Sequence, residues 1–187
     1  MTRILGISGS LRGGSFNTAL LRAAQARMPD SVELAIATLH GIPLYDADAE
    51  TRDGVPAAVN ELKERIVTSD GVVLATPEYN NGIPGVFKNA IDWLSRPPSD
   101  AARVFSDRAF AVMGASPGGF GTILSQTGWL PVLRTLRTRH WLTGRLLVSR
   151  AKTVFDDNGD LVDAAVSSQL TEFMAGFAAF VAERPRR

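Results

Sequence analysis

No cysteine occurs in the 187 residues of the chain. Disulfides, thiolate catalysis, iron–sulfur clusters and zinc ribbons are excluded with it. Histidine is almost as scarce. His40 and His140 stand alone in the sequence, so both read as satisfied or surface side chains, and no metal site is expected. Lysine is confined to Lys63, Lys88 and Lys152, which leaves 17 of the 20 basic residues as Arg. Against 19 acidic residues the net charge is +1, so no nucleic-acid or membrane partner is implied. No apolar run is read as approaching bilayer length, and Met1-Thr2-Arg3 enters a strand pattern with no signal segment before it; a cytoplasmic protein is expected. Gly-Lys pairs and Gly-x-Gly-x-x-Gly are also missing, which weighs against ATP or GTP and against a dinucleotide held by a glycine fingerprint. Redox chemistry in such a chain has to be carried by an organic cofactor.

What is present is a strict alternation. A hydrophobic content of 45% with 21% charged residues fits one globular domain over residues 1–187. Apolar, β-branched runs at Ile4–Ser8, Val32–Ala37, Gly71–Thr76, Ala109–Ala115 and Gly144–Ser149 predict five strands. Helical periodicity fills the gaps, with Leu20, Leu21, Ala24 and Met28 in the first helix, Val59, Leu62 and Ile66 in the second, and Val166, Leu170, Phe173, Phe177 and Val181 in the last. A helix over about 122–138 is interrupted by Gly128 and Pro131. Alternation of this kind predicts an α/β three-layer sandwich: a five-stranded parallel sheet of order 2-1-3-4-5 with helices on both faces. The stretch from His40 to Gly54 is expected to be irregular, and the tail Glu183-Arg184-Pro185-Arg186-Arg187 to be a solvated end.

Ligands in open α/β sheets bind at the carboxyl ends of the strands where the order reverses. Three such ends are unusual here. Gly9-Ser10-Leu11-Arg12-Gly13-Gly14-Ser15-Phe16-Asn17 follows the first strand, and suits a phosphate: glycines let backbone N–H groups approach an anion, Ser10, Ser15 and Asn17 add donors, and Arg12 adds charge. The competing reading is a glycine-rich turn in which Ser15 or Asn17 only caps a helix. Pro77-Glu78-Tyr79-Asn80-Asn81-Gly82-Ile83-Pro84 follows the third strand. A stiff loop with polar backbone and one aromatic suits a flat polar ring held with one face open, as a flavin requires. Ser116-Pro117-Gly118-Gly119-Phe120-Gly121 follows the fourth strand; its amides can approach a ribityl chain and stabilise negative charge on a reduced ring. In the order 2-1-3-4-5 these three loops line one crevice.

The helix after Pro84 carries Val86, Phe87, Ala90, Ile91, Trp93 and Leu94 over an arc of roughly 160° at 100° per residue. That is wider than one sheet contact needs, so part of it is expected to meet a second subunit. Lys88 and Asp92, at i and i+4, read as a surface pair rather than a catalytic one.

Taken together, Gly9-Ser10-Leu11-Arg12-x-x-Ser15-x-Asn17, Pro77-Glu78-Tyr79-Asn80-x-Gly82-x-Pro84-Gly85-x-x-Lys88-Asn89-Ala90-Ile91-Asp92-Trp93 and Ser116-Pro117-Gly118-Gly119 resemble the NADPH-dependent FMN reductase family, in particular its bacterial chromate and quinone reductases. The resemblance runs nearly the whole chain, through Val148-Ser149-Arg150-Ala151 and Phe155-Asp156-Asp157-Asn158-Gly159. It implies a flavodoxin-like fold, non-covalent FMN, NAD(P)H as electron donor and a homodimer or homotetramer. It also implies hydride transfer from NAD(P)H through bound FMN to a small-molecule acceptor (a quinone, chromate, an azo compound or free flavin) by a ping-pong cycle, with no catalytic side chain. By motif, Ser10, Arg12, Ser15, Phe16 and Asn17 hold the phosphate. Pro77, Glu78, Tyr79 and Asn80 contact the ring, and Ser116, Gly118 and Gly119 lie near ring and ribityl. Thr122-Ile123-Leu124 departs from the family, where smaller or charged residues are common, and this leaves the acceptor preference open. A flavodoxin-like electron carrier is the alternative, but carriers are usually strongly acidic for docking, unlike this chain. A receiver-type regulator needs clustered carboxylates after the first strand, where this chain has Ser8-Gly9-Ser10.

Overall fold

Alternating apolar positions in each strand face two different helix layers, and this alternation is what holds the molecule together. The computed structural model describes residues 1–183. Its elements run β1 (Thr2–Ser8), α1 (Phe16–Gln25), β2 (Val32–Ala37), α2 (Ala47–Asp53), α3 (Ala57–Val67), β3 (Gly71–Ala75), α4 (Gly85–Leu94), α5 (Ala101–Phe105), β4 (Ala109–Ala115), α6 (Ile123–Thr135), β5 (Arg139–His140), β6 (Leu147–Val148), α7 (Ala151–Val154) and α8 (Ala164–Ala182). The sheet is parallel and its order is β2-β1-β3-β4-β5, with β6 also on β4. Val73 and Ala75 of β3 join Leu20, Leu21 and Ala24 of α1 and Leu170, Phe173 and Phe177 of α8 in one core. Val72 and Leu74, one residue out of step, join Val59, Leu62 and Ile66 of α3, Phe87 and Ile91 of α4 and Trp129 of α6 in the other. Each such side chain contributes about 1.5–3 kcal/mol on burial. The expectation for the tail falls, from residue 184 on, outside the described residues.

The fifth strand differs from expectation. In place of one strand at Gly144–Ser149, the edge is made of two short pieces. β5 pairs the first half of β4 (Phe110 with His140) and β6 pairs its end (Ala115 with Val148). Between them the chain leaves the sheet because the Trp141 ring packs instead on Phe173 and Phe177 of α8, with centroids 5.1 and 5.8 Å away. Gly144 lies directly under that ring, where a Cβ has no room.

The stretch His40–Gly54 also differs: it holds α2. Asp46 caps it, accepting from Asp48 N at 2.8 Å, and Gly54, at φ 79°, ends it. None of its residues is buried, so it carries no apolar period to read. The short α5 gave no signal either. α6 continues through Pro131 rather than breaking there.

The wide apolar arc of α4 is filled from within the chain. Trp93 is 1% exposed. Its ring meets Tyr45 edge-on at 5.0 Å, and its Nε1–H donates to the Pro43 carbonyl at 2.9 Å. Asn89 Nδ2 donates to the same carbonyl at 2.8 Å, and its Oδ1 accepts from Tyr45 N at 2.9 Å. The second half of the long motif is therefore a clamp on the 42–45 segment, and of the arc residues Phe87, Ala90, Ile91, Trp93 and Leu94 are buried within the chain while Val86 is half-buried. α8 is, by length and composition alone, long and apolar enough to cross a bilayer, contrary to the sequence reading; in the fold it lies on the sheet and buries Leu170, Phe173, Met174 and Phe177.

Candidate active site

The three loops do converge at the carboxyl ends of β1, β3 and β4. At the end of β1, Gly9 N–H donates to Ala75 O at 2.9 Å, which ties the loop to the neighbouring strand. A Cβ on Gly9 overlaps the Phe87 ring and comes within 2.9 Å of Pro77 Cδ, so only glycine fits. Ser15 is the N-cap of α1 and accepts from Asn17 N and Thr18 N at 3.2 and 3.4 Å. The capping reading of Ser15 thus holds, and it leaves the hydroxyl proton free to donate into the crevice. Asn17 differs from expectation. Its amide is 3% exposed and pairs twice with Ala115, donating to the carbonyl and accepting from the N–H, each at 2.9 Å. Its first task is to fasten α1 to the end of β4. Ser10 Oγ accepts from Arg12 N at 3.2 Å and lies 3.4 Å from the Tyr79 hydroxyl. The Arg12 guanidinium sits over the Phe16 ring, 5.3 Å from its centroid. His40 braces this loop, with Nε2 3.1 Å from Leu11 O.

At the end of β3, Thr76 is fully buried and is hydrogen-bonded to Ser125 Oγ at 2.8 Å and to Trp129 Nε1 at 3.1 Å. This fixes Pro77. Tyr79 and Gly82 then exchange both backbone hydrogen bonds at 3.1 Å, across Asn80 at φ 49° and Asn81 at φ 62°. Two consecutive positive φ values define a type I′ turn, which is why asparagine is placed there. The Glu78 carboxylate is already engaged. Its Oε2 accepts from Leu124 N and Ser125 N at 2.8 and 3.0 Å and caps α6, whose own N-cap Thr122 makes no such bond.

At the end of β4, Gly114 lies against Thr76 O and Thr122, with no space for a Cβ. Ser116 N donates to Val148 O at 2.9 Å, and Ser116 Oγ donates to Gly121 O, closing the glycine turn. Arg150, left-handed at φ 51°, turns β6 into α7. Arg150 N donates to Gly118 O and Ala151 N to Ser116 O, at 2.8 and 3.0 Å.

The result is one crevice of about 380 Å³, within the range of small-molecule sites. Ser10, Arg12, Ser15, Phe16, Asn17, Pro77, Glu78, Tyr79 and Ser116 all reach it. Asn80, Gly118 and Gly119 do not line it; they are exposed on its rim. Pro117 lines it from the third loop, and Ala115 and Lys152 line it unforeseen. Lys152 carried no signal: it falls between the family stretches Val148-Ser149-Arg150-Ala151 and Phe155-Asp156-Asp157-Asn158-Gly159. Among the described residues no cluster of His, Cys, Asp or Glu suits a metal. His140 lies away at the sheet edge, where burial pushes its pKa down.

The model of the NADPH-dependent FMN reductase family matches residues 2–153. The chain belongs to that family. An NAD(P)H-dependent FMN reductase of Pseudomonas aeruginosa is 42% identical over 161 residues, covering 86% of this chain and 85% of that protein. A 2-hydroxy-1,4-benzoquinone reductase of a Burkholderia species is 32% identical over 182 residues, covering 97% of each. Among solved structures, the flavoenzyme NAD(P)H:(acceptor) oxidoreductase of Paracoccus denitrificans superposes with a TM-score of 0.85 at 29% identity, over 97% of both chains. The fold is flavodoxin-like, and the protein is an NAD(P)H-dependent oxidoreductase that uses FMN. The donor set fits that cofactor. One end of the crevice gathers two hydroxyls and Arg12 at the start of α1; the rest is walled by Pro77, Tyr79, Ala115 and Pro117.

Proposed function

We propose that this reductase holds FMN non-covalently in the crevice and reduces quinones at the expense of NAD(P)H. One observation carries the reading: three loops distant in sequence form a single cleft with a cationic, hydroxyl-rich end and a flat apolar remainder. Ser10, Arg12, Ser15 and the amides that open α1 hold the phosphate end. Phe16 supports Arg12, and Asn17 positions the loop through Ala115. Pro77, Glu78 and Tyr79 carry the ring, with Asn80 at the rim, Glu78 contributing backbone because its carboxylate is engaged. Ser116, Gly118 and Gly119 lie beside the ribityl and the ring's polar edge, the two glycines from the rim. FMN when bound supplies the group that takes hydride from one nicotinamide and gives it to an acceptor. The residues of the crevice bind, orient and shield; no side chain among them is assigned an acid–base step.

Tyr79, 49% exposed, leaves the mouth of the crevice open, and Phe120, in the loop after β4, is 83% exposed. Such a mouth suits sequential visits by donor and acceptor, hence ping-pong turnover, and admits varied acceptors, chromate and azo compounds among them. A cytoplasmic homodimer or homotetramer completes the reading, supported by Leu130 and Leu142, exposed on the same hollow at the sheet edge. The decisive test is the visible spectrum of the purified protein, followed by anaerobic stopped-flow mixing with NADH and NADPH. A yellow protein bleached by at least one of them is expected; a colourless protein that does not reconstitute with FMN would overturn the proposal. Parallel initial-rate lines with a quinone test the ping-pong order, and light scattering tests the assembly.

A further inference from the structure

We infer that Lys152 is the second cation for the FMN phosphate, acting across the crevice from Arg12. The inference rests on the phosphate reading of the first loop and goes beyond it to a residue outside the three loops.

The three lysines differ sharply in their surroundings. Lys63 is 1% exposed and bound to Asp100 at 3.0 Å; Lys88 is bound to Asp92 at 2.7 Å. Lys152 is exposed, lines the crevice, and has no carboxylate partner among the described residues. Two nearby acids are engaged elsewhere. Glu78, the one acidic side chain of the crevice lining, is committed to the amides of α6. Asp156, four residues on, accepts from Asn158 N and Asp160 N.

The base of Lys152 is fixed where the phosphate is expected. α7 is tied to the third loop by the bond from Ala151 N to Ser116 O. Phe155, just past its end, stacks on Phe16 at the first turn of α1, centroids 5.9 Å apart. The same Phe16 ring carries the Arg12 guanidinium on it. Lys152 therefore lines the same crevice as Arg12, Ser10 and Ser15, and its helix is tied to Arg12 through the Phe155 and Phe16 rings. A phosphate monoester carries about −1.5 to −2 charges at neutral pH. Arg12 alone leaves about a third to a half of that uncompensated by side chains, and Lys152 supplies the balance.

The test is flavin binding, not turnover. Dissociation constants for FMN and riboflavin are measured on the full-length protein freed of flavin, for the wild type and for Lys152→Ala, Lys152→Arg and Arg12→Ala. Lys152→Ala is expected to weaken FMN about two- to fivefold, as for a solvent-exposed ion pair, and to leave riboflavin unchanged. Lys152→Arg stays near wild type, and the salt dependence of FMN binding is flatter in Lys152→Ala. Unchanged FMN affinity, or an equal loss for FMN and riboflavin, overturns the assignment. If Arg12→Ala weakens FMN while Lys152→Ala does not, only this inference fails. If neither variant matters, or the wild type does not prefer FMN to riboflavin, the phosphate site itself has been misplaced and the inference goes with it.

Discussion

Gly9 and Arg12 stand three residues apart, and each fixes a different property of the site. Gly9 is where Phe87, Pro77 and the first loop meet with no spare volume. Gly9→Ala should cost about 1–3 kcal/mol, as overpacking does, and move Pro77 out of place. The check is a thermal melt together with FMN affinity; a variant wild-type in both would show that the contact yields freely. Arg12 acts through charge. Arg12→Ala should cost FMN roughly 1.5–3 kcal/mol if the guanidinium donates to the phosphate. Isothermal titration measures it, and unchanged affinity would mean the first loop has been misread. The residue types of both positions were legible as a phosphate loop. That Asn17 and Glu78 spend their side chains on Ala115 and on α6 was not, because both partners lie far away in sequence, at separations of 98 and 46–47.

At the scale of elements, α4 shows how one motif serves two ends. Its loop half forms the I′ turn at the crevice. Its helical half, through Asn89 and Trp93, grips Pro43 and Tyr45. Asn89→Ala removes two hydrogen bonds and should cost about 1–3 kcal/mol. Faster hydrogen exchange in residues 42–50, with the crevice loops unaffected, is the expected signature; uniform protection across that segment would refute the clamp. The breadth of the apolar arc was visible in the sequence. What covers it was not, since an apolar stripe specifies burial and leaves the partner open. α2, with no buried face, passed for a loop, and β5, two residues long and outside the expected Gly144–Ser149, gave no signal.

For the whole molecule, a charge network joins α3, the end of α4 and α5. Lys63 Nζ donates to Arg96 O and to Asp100 at 3.0 Å, and Arg103 donates to Asp100 at 2.6 Å and to Glu64 at 2.9 Å. Arg103, and then Lys63, hold the Asp100 carboxyl down at about 2, against the cost of its desolvation. A carboxylate depressed in the folded state stabilises fully above its ordinary value of 3.8 and loses that contribution as pH falls through about 2. Urea midpoints should therefore drop between about pH 4 and 2 more steeply in the wild type than in Asp100→Asn. At pH 7 the variant should be destabilised by about 3 kcal/mol, because the buried Lys63 charge loses its carboxylate. Parallel pH dependence in the two proteins would place the acid sensitivity elsewhere.

The sequence by itself determined the sheet order, the two-faced core and the three loops that meet at the crevice. These follow from local periodicity, from glycine and proline placement and from the handedness of parallel crossovers, all of which act over short stretches of chain. Only the tertiary structure decided which polar side chains are left to bind a ligand. Asn17 and Glu78 are taken up by distant backbone, Asn80, Gly118 and Gly119 fall to the rim, and Lys152 enters the wall from a helix no loop motif covers. Hydrogen-bond partners and free charge are settled by contacts across the folded chain, and no local pattern encodes them.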